Sequence, residues 1–216
     1  MGSFVTFGNI FIVLLSAAAI IFIIVRSSMH SKKQEGIKRR FLEEEEAANA
    51  VRKKEIDAEL YYTADFDALP PIPADDPNQV MRCSQRKMIR FAEPISNLEL
   101  KKLYGPAQMD IIAQYEENFS EYLKALTKWA VELALEDFEK NQEDVLSILE
   151  TVISLGGEFR DTYKLAADIY AGTGDVAALD ALLIRAEQNH FKDPNIQQQI
   201  LEYIDMKKET QNDEPS

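Results

Sequence analysis

Between Ile112 and Leu133 the large apolar residues fall at Ile112, Tyr115, Phe119, Tyr122, Leu126, Trp129 and Leu133, in steps of three and four. A helix turns once in about 3.6 residues, so this rhythm brings all seven to one face, whereas a strand would scatter them over both. The spacing predicts a long amphipathic helix from Pro106 to about Lys140, and with it an all-α body.

Punctuation delimits the neighbours of that helix. Ser96-Asn97-Leu98-Glu99 has the arrangement of a capping box, opening a short helix that Gly105-Pro106 ends. Asn141 and Asp144 open another, with Val145, Ile148, Leu149, Val152 and Ile153 inside and Gly156-Gly157 as its close. Tyr163, Ala166, Ala167, Ile169 and Tyr170 lie on the next, which stops at Gly172-Thr173-Gly174. Asp175 caps a helix that buries Val176, Leu179, Leu182, Leu183 and Ala186. Asp193-Pro194 starts the last, because proline at the first helical position forfeits no hydrogen bond. Residues 208–216 are polar and are expected to form a disordered tail.

Shifting the chain against itself by 34 residues pairs Trp129 with Tyr163, Leu133 with Ala167, Val145 with Leu179, Leu149 with Leu183 and Val152 with Ala186. In this the chain resembles the tetratricopeptide repeat family, whose period is about 34 residues. The resemblance covers residues 124–190, as two helical hairpins, followed by a capping helix at 194–207. Tyr163 stands at the family's large aromatic position, Ala166 and Ala167 at its Leu-Gly pair, Tyr170 at its second aromatic and Gly174-Asp175 at the turn. Leu179 departs from the usual alanine, and Asp193-Pro194 comes two residues late. The resemblance implies a concave protein-binding surface, with Lys128, Glu132, Arg160, Lys164 and Asp168, the polar residues on the first helix of each hairpin, as partner-binding candidates.

The N-terminal segment is of a different kind. From Phe4 to Val25 there is no charged residue, and 22 residues at about 1.5 Å each span roughly 30 Å, the thickness of a bilayer core. A cleaved leader is disfavoured, because no basic residue precedes the apolar run and strongly apolar residues continue past Ala17-Ala18-Ala19. Residues 4–25 are therefore expected to be a transmembrane helix. Arg26, Lys32, Lys33, Lys38, Arg39 and Arg40 follow it at once, and basic flanks are retained on the cytoplasmic side. The expected arrangement is a single-pass protein of the cell membrane with its N-terminus outside, its basic flank on lipid headgroups and its C-terminal domain in the cytoplasm.

Residues 26–62 form the basic juxtamembrane segment and a stalk. The part rich in Glu, Ala, Lys and Arg favours helix, but Ile37, Phe41, Val51 and Leu60 make only a thin apolar stripe, so the stalk is expected to be solvated, with a short coiled coil as the alternative. Over residues 63–95 the prolines Pro70, Pro71, Pro73 and Pro77 exclude a regular helix and point to an extended linker. Within it lies a basic, half-apolar strip, Gln79 to Phe91, which either packs on the acidic domain of residues 96–207 or binds another protein.

That domain carries the acidity: 25 Asp and Glu against 11 Lys and Arg from Glu93 to Ser216, within a net charge of -13 for the chain. Such a surface repels phosphate backbones, so nucleic acid is not an expected ligand. His30, His190 and Cys83 have no metal-site spacing, and no phosphate loop or glycine-flanked serine is present. No catalytic, metal or cofactor site is expected. The sequence thus points to a membrane-anchored adaptor or scaffold for a protein partner. The alternative is a structural accessory subunit held in a membrane complex through its apolar helix, where Ser16-Ala17-Ala18-Ala19 would allow close approach.

Overall fold

The computed structural model describes residues 35–213. They are mostly helical, as the apolar spacing requires, and fall into two units: one of residues up to 54 together with 97–107, the other of residues 55–96 and 108 onward. The transmembrane segment expected at 4–25 lies outside the described residues, and so do Arg26, Lys32 and Lys33. Among the described residues no helix is long and apolar enough to cross a membrane.

In the first unit, helix α1 covers residues 35–49 and α3 runs from Asn97 to Tyr104. The stalk expected to continue to residue 62 is broken here. Its helix closes with Val51 N–H donating to Ala48 O at 3.2 Å, and residues 51–57 have no regular secondary structure. Two of the four consecutive glutamates reach α3: Glu45 meets Lys101 at 3.0 Å and Glu44 meets Lys102 at 2.7 Å. Lys54 N–H then donates to Tyr104 O at 3.0 Å. Gly105 lets the two segments approach, because it has φ of +80° and an added Cβ would stand 2.8 Å from the carbonyl oxygens of Val51 and Arg52.

The second unit begins where the stalk was expected to go on. Ile56 is buried, and β1 (Tyr61–Tyr62) pairs antiparallel with β2 (Met88–Ile89) in the register Tyr61↔Ile89 and Tyr62↔Met88. Tyr62 is held there by aromatic contacts, its ring 5.0 Å from Phe119 and 6.1 Å from Tyr122. Residues 63–95 are likewise no free linker. Their prolines exclude a long helix but not burial: Leu69 and Ile72 pack on the core, the Ser147 hydroxyl donates to Ala68 O, and short helix α2 (Val80–Ser84) with β2 lies along helix α4 (Met109–Glu136). Val80, Met88 and Ile89 are fully buried, which settles the basic strip as part of this unit.

Helix α4 runs from Met109 to Glu136 and buries Ile112, Tyr122, Leu126 and Trp129 as its spacing demands. It ends four residues earlier than expected. Asp137 is extended (φ -161°, ψ 93°) and its carboxylate accepts from Lys140 N–H at 3.2 Å, so α5 starts at Phe138 and runs to Ser154. Asn141, expected to open α5, instead donates to Leu133 O at 2.9 Å and satisfies a terminal carbonyl of α4. Helices α6 (Arg160–Gly172) and α7 (Val176–Gln188) follow the punctuation, with Asp175 accepting from Ala178 N–H at 2.9 Å. Helix α8 begins at Pro194 and reaches Asp213, past the expected fraying at 207, because Lys207 meets Asp168 and Lys208 meets Asp180, each at 2.6 Å.

The helices pack as consecutive hairpins: α4 on α5, α5 on α6, α6 on α7, and α8 on both α6 and α7. Three of the five paired positions are alike in burial, whereas Leu133 and Leu183 are only partly buried beside buried Ala167 and Leu149. Trp129 and Tyr163 are both buried, as are Val145 with Leu179 and Val152 with Ala186.

Candidate functional site

The five partner-binding candidates separate into two places. Arg160, Lys164 and Asp168 recur every four residues along α6 and form one row, but α8 runs beside it. Arg160 donates to Gln199 Oε1 at 3.4 Å, the Lys164 ammonium sits 4.5 Å from the centre of the Tyr203 ring, and Asp168 accepts from the Tyr203 hydroxyl at 2.7 Å as well as from Lys207. The Asp168 carboxylate, through its hydrogen bond, raises the Lys207 pKa. The row is engaged by the chain's own last helix, a partner that a reading of α6 alone had no means to see.

Lys128 and Glu132 lie elsewhere, on α4 beside the basic strip. There the loop before α2 turns sharply: Asp76 and Gln79 take positive φ, 39° and 59°, and the Asp76 carboxylate accepts from Val80 N–H at 2.7 Å and Met81 N–H at 3.1 Å. This tight capping turn aims Asn78 at α4, where its amide donates to Glu132 at 2.7 Å while Asn78 is only 7% exposed. Farther along, Arg86 pairs with Glu121, and Asn118 donates to Lys87 O at 2.9 Å.

Between these two attachments the strip stands off α4 and leaves an open groove of about 320 Å³. Pro77, Asn78, Gln79, Cys83 and Arg86 line one wall, and Glu121, Lys124, Ala125 and Lys128 line the other. Lys128 reaches Glu132 at 3.5 Å and Lys124 reaches Glu117 at 3.6 Å, both exposed, so each ammonium is held loosely and is free to exchange partners. Cys83 is 6% exposed, and burial raises its thiol pKa, with the Arg86 charge opposing, so it is not primed as a nucleophile. Among the described residues no group of three His, Cys, Asp or Glu side chains is placed to hold a metal ion.

No protein-family model matches the chain, and no curated protein or solved structure does.

Lys128, Glu132 and the strip that carries Arg86 are expected from the sequence, whereas Asn78, Glu121 and Lys124 are brought to them only by the fold. The signal for the strip is its four basic residues, Arg82, Arg86, Lys87 and Arg90, set among apolar ones and followed by an acidic helical domain. It indicates that the strip has an acidic surface to meet, but not which helix or which turn.

Proposed function

We propose that this protein is a membrane-anchored adaptor: tetratricopeptide-like hairpins support a groove along α4 that holds a protein partner, and the apolar segment 4–25 with its basic flank confines the complex to the membrane surface. The observation that carries the reading is a recurrence of links at close to one repeat length, 35 residues in three cases and 34 in the fourth. Thr127 with Thr162, Glu150 with Arg185, and Asp168 with Tyr203 are hydrogen-bonded at separations of 35 residues, and Lys192 N–H donates to Glu158 at a separation of 34. A supersecondary unit that stacks on its successor through links of nearly constant spacing is a solenoid in miniature, and solenoids serve as extended binding surfaces. The work such a surface suits is holding and positioning.

The partner is assigned to the groove between α2 and α4. Its wall carries Arg86, Lys124 and Lys128 beside Glu121, so it favours an extended polar segment of mixed charge over an apolar helix. The row on α6 is left to α8.

Two measurements test the two halves of this proposal. A photo-crosslinking residue placed at Lys128 is expected to capture a discrete protein in cells that the same residue at Glu209 does not capture. Equal capture at both positions, or none, overturns the groove. Alkaline carbonate extraction tests the anchor: the intact chain should stay with the membrane pellet, and its release overturns the membrane-spanning role of 4–25.

A further inference from the structure

Helix α1 has an apolar row that is covered at one end and bare at the other. On a helix of 100° per residue, Ile37, Phe41 and Ala48 fall within roughly 40° of one another. Ala48 is fully buried, whereas Ile37 is 61% and Phe41 54% exposed. Lys38 and Arg40 stand at roughly 80° to either side of the row, both exposed. Arg39 projects from the opposite side and meets Glu43 at 3.6 Å. Beyond Arg40 the sign of charge reverses at once with Glu43 to Glu46, and Glu44 and Glu45 are engaged by Lys102 and Lys101.

We propose that the first two turns of α1 lie in the headgroup layer of an anionic bilayer, with Ile37 and Phe41 inserted and Lys38 and Arg40 reaching lipid phosphates on either side. The inference rests on the reading of 4–25 as the anchor, which ends ten residues before the first described residue of α1 and so keeps that helix within reach of the surface. The charge pattern selects lipid over a second copy. In a parallel pair of such helices Lys38 and Arg40 would face their own kind, and in an antiparallel pair the glutamates opposite them would include Glu44 and Glu45, already engaged by Lys102 and Lys101. Long basic side chains beside an apolar row instead match a surface that is anionic above and hydrocarbon below. The glutamates mark where the helix leaves the surface.

The test uses the full chain carrying Phe41→Trp, reconstituted in nanodiscs whose lipids are brominated in the acyl chains, with the signal of native Trp129 subtracted through the parent chain. In discs containing phosphatidylserine the introduced indole is expected to lose at least half its fluorescence. It should recover in pure phosphatidylcholine discs, and in phosphatidylserine discs when Lys38→Glu and Arg40→Glu are added. No quenching in phosphatidylserine discs, quenching indifferent to those charges, or energy transfer between two labelled copies that replaces the quenching overturns the proposal. Carbonate extraction of the same protein keeps the two ideas apart. A chain that stays in the pellet without quenching refutes the interfacial helix alone, and a chain that is released yet quenched by anionic vesicles refutes the anchor alone.

Discussion

Arg185 on α7 grips Glu150 on α5 at two points, Nη2 donating to Oε1 at 2.9 Å and Nη1 to Oε2, while the Tyr170 hydroxyl of α6 donates to the same carboxylate. Three helices of consecutive hairpins thereby meet at one acid. Burial alone would raise the Glu150 pKa, but the hydrogen bonds from Arg185 and Tyr170 outweigh it and hold the value below the ordinary carboxylate range.

A depressed folded-state pKa means that the unfolded chain binds the proton more readily. The stabilisation is therefore complete above the ordinary carboxylate value and is lost as pH falls through the depressed one. Glu150→Gln is expected to cost about 1 kcal/mol at pH 7, discounted because both partners are about a third exposed, and to cost less in acid. Urea unfolding of both chains across the acid range checks this, and a difference that grows toward low pH refutes it.

Gly105 and Gly156 both take positive φ but differ in space. An added Cβ at Gly105 meets backbone carbonyls at 2.8 Å, and one at Gly156 has the Asn189 side chain at 3.6 Å as its nearest neighbour. Gly156→Ala should cost about 1 kcal/mol from conformation, and Gly105→Ala about 2 kcal/mol or more, because two backbone segments must also part. Hydrogen exchange at the Lys54 amide, bonded to Tyr104 O, is expected to rise in the Gly105 variant and stay unchanged in the other.

Leu149 and Leu135 look equally apolar in the sequence. Leu149 is fully buried on α5, whereas Leu135 is 80% exposed near the end of α4. Leu149→Ala should destabilise by about 2 to 5 kcal/mol through lost burial and a cavity, and Leu135→Ala should stay within about 0.5 kcal/mol of the parent. Chemical denaturation followed through Trp129 fluorescence separates the two.

Cys83 is enclosed in the core cluster with Val80, Met88 and Tyr122, and its raised pKa leaves less thiolate at neutral pH. A thiol reagent is expected to react about 100-fold more slowly with the native protein than with the urea-unfolded chain, since labelling must wait for local opening. Comparable rates refute the burial of α2. Membrane topology is accordingly better probed with a surface thiol, such as Glu143→Cys, than with Cys83.

The sequence alone determined what depends on neighbours within a few positions. The period of apolar residues from Ile112 to Leu133 dictated a helix and its buried side, Asp175 and Pro194 dictated where two helices begin, and Gly156 and Gly174 supplied the positive φ that ends two others. Tertiary structure decided the rest, because those choices turn on residues far away in the chain. Tyr61 and Tyr62 became strand since Met88, Ile89 and Phe119 were there to meet them, and the proline-rich segment was drawn onto the core by Leu69 and Ile72. Lys207 prolonged α8 by reaching Asp168, which in the same step removed the α6 row from the candidate surface. Helix propensity is set by each residue and its turn, but which polar side chain stays free is set only after every other helix has taken its place.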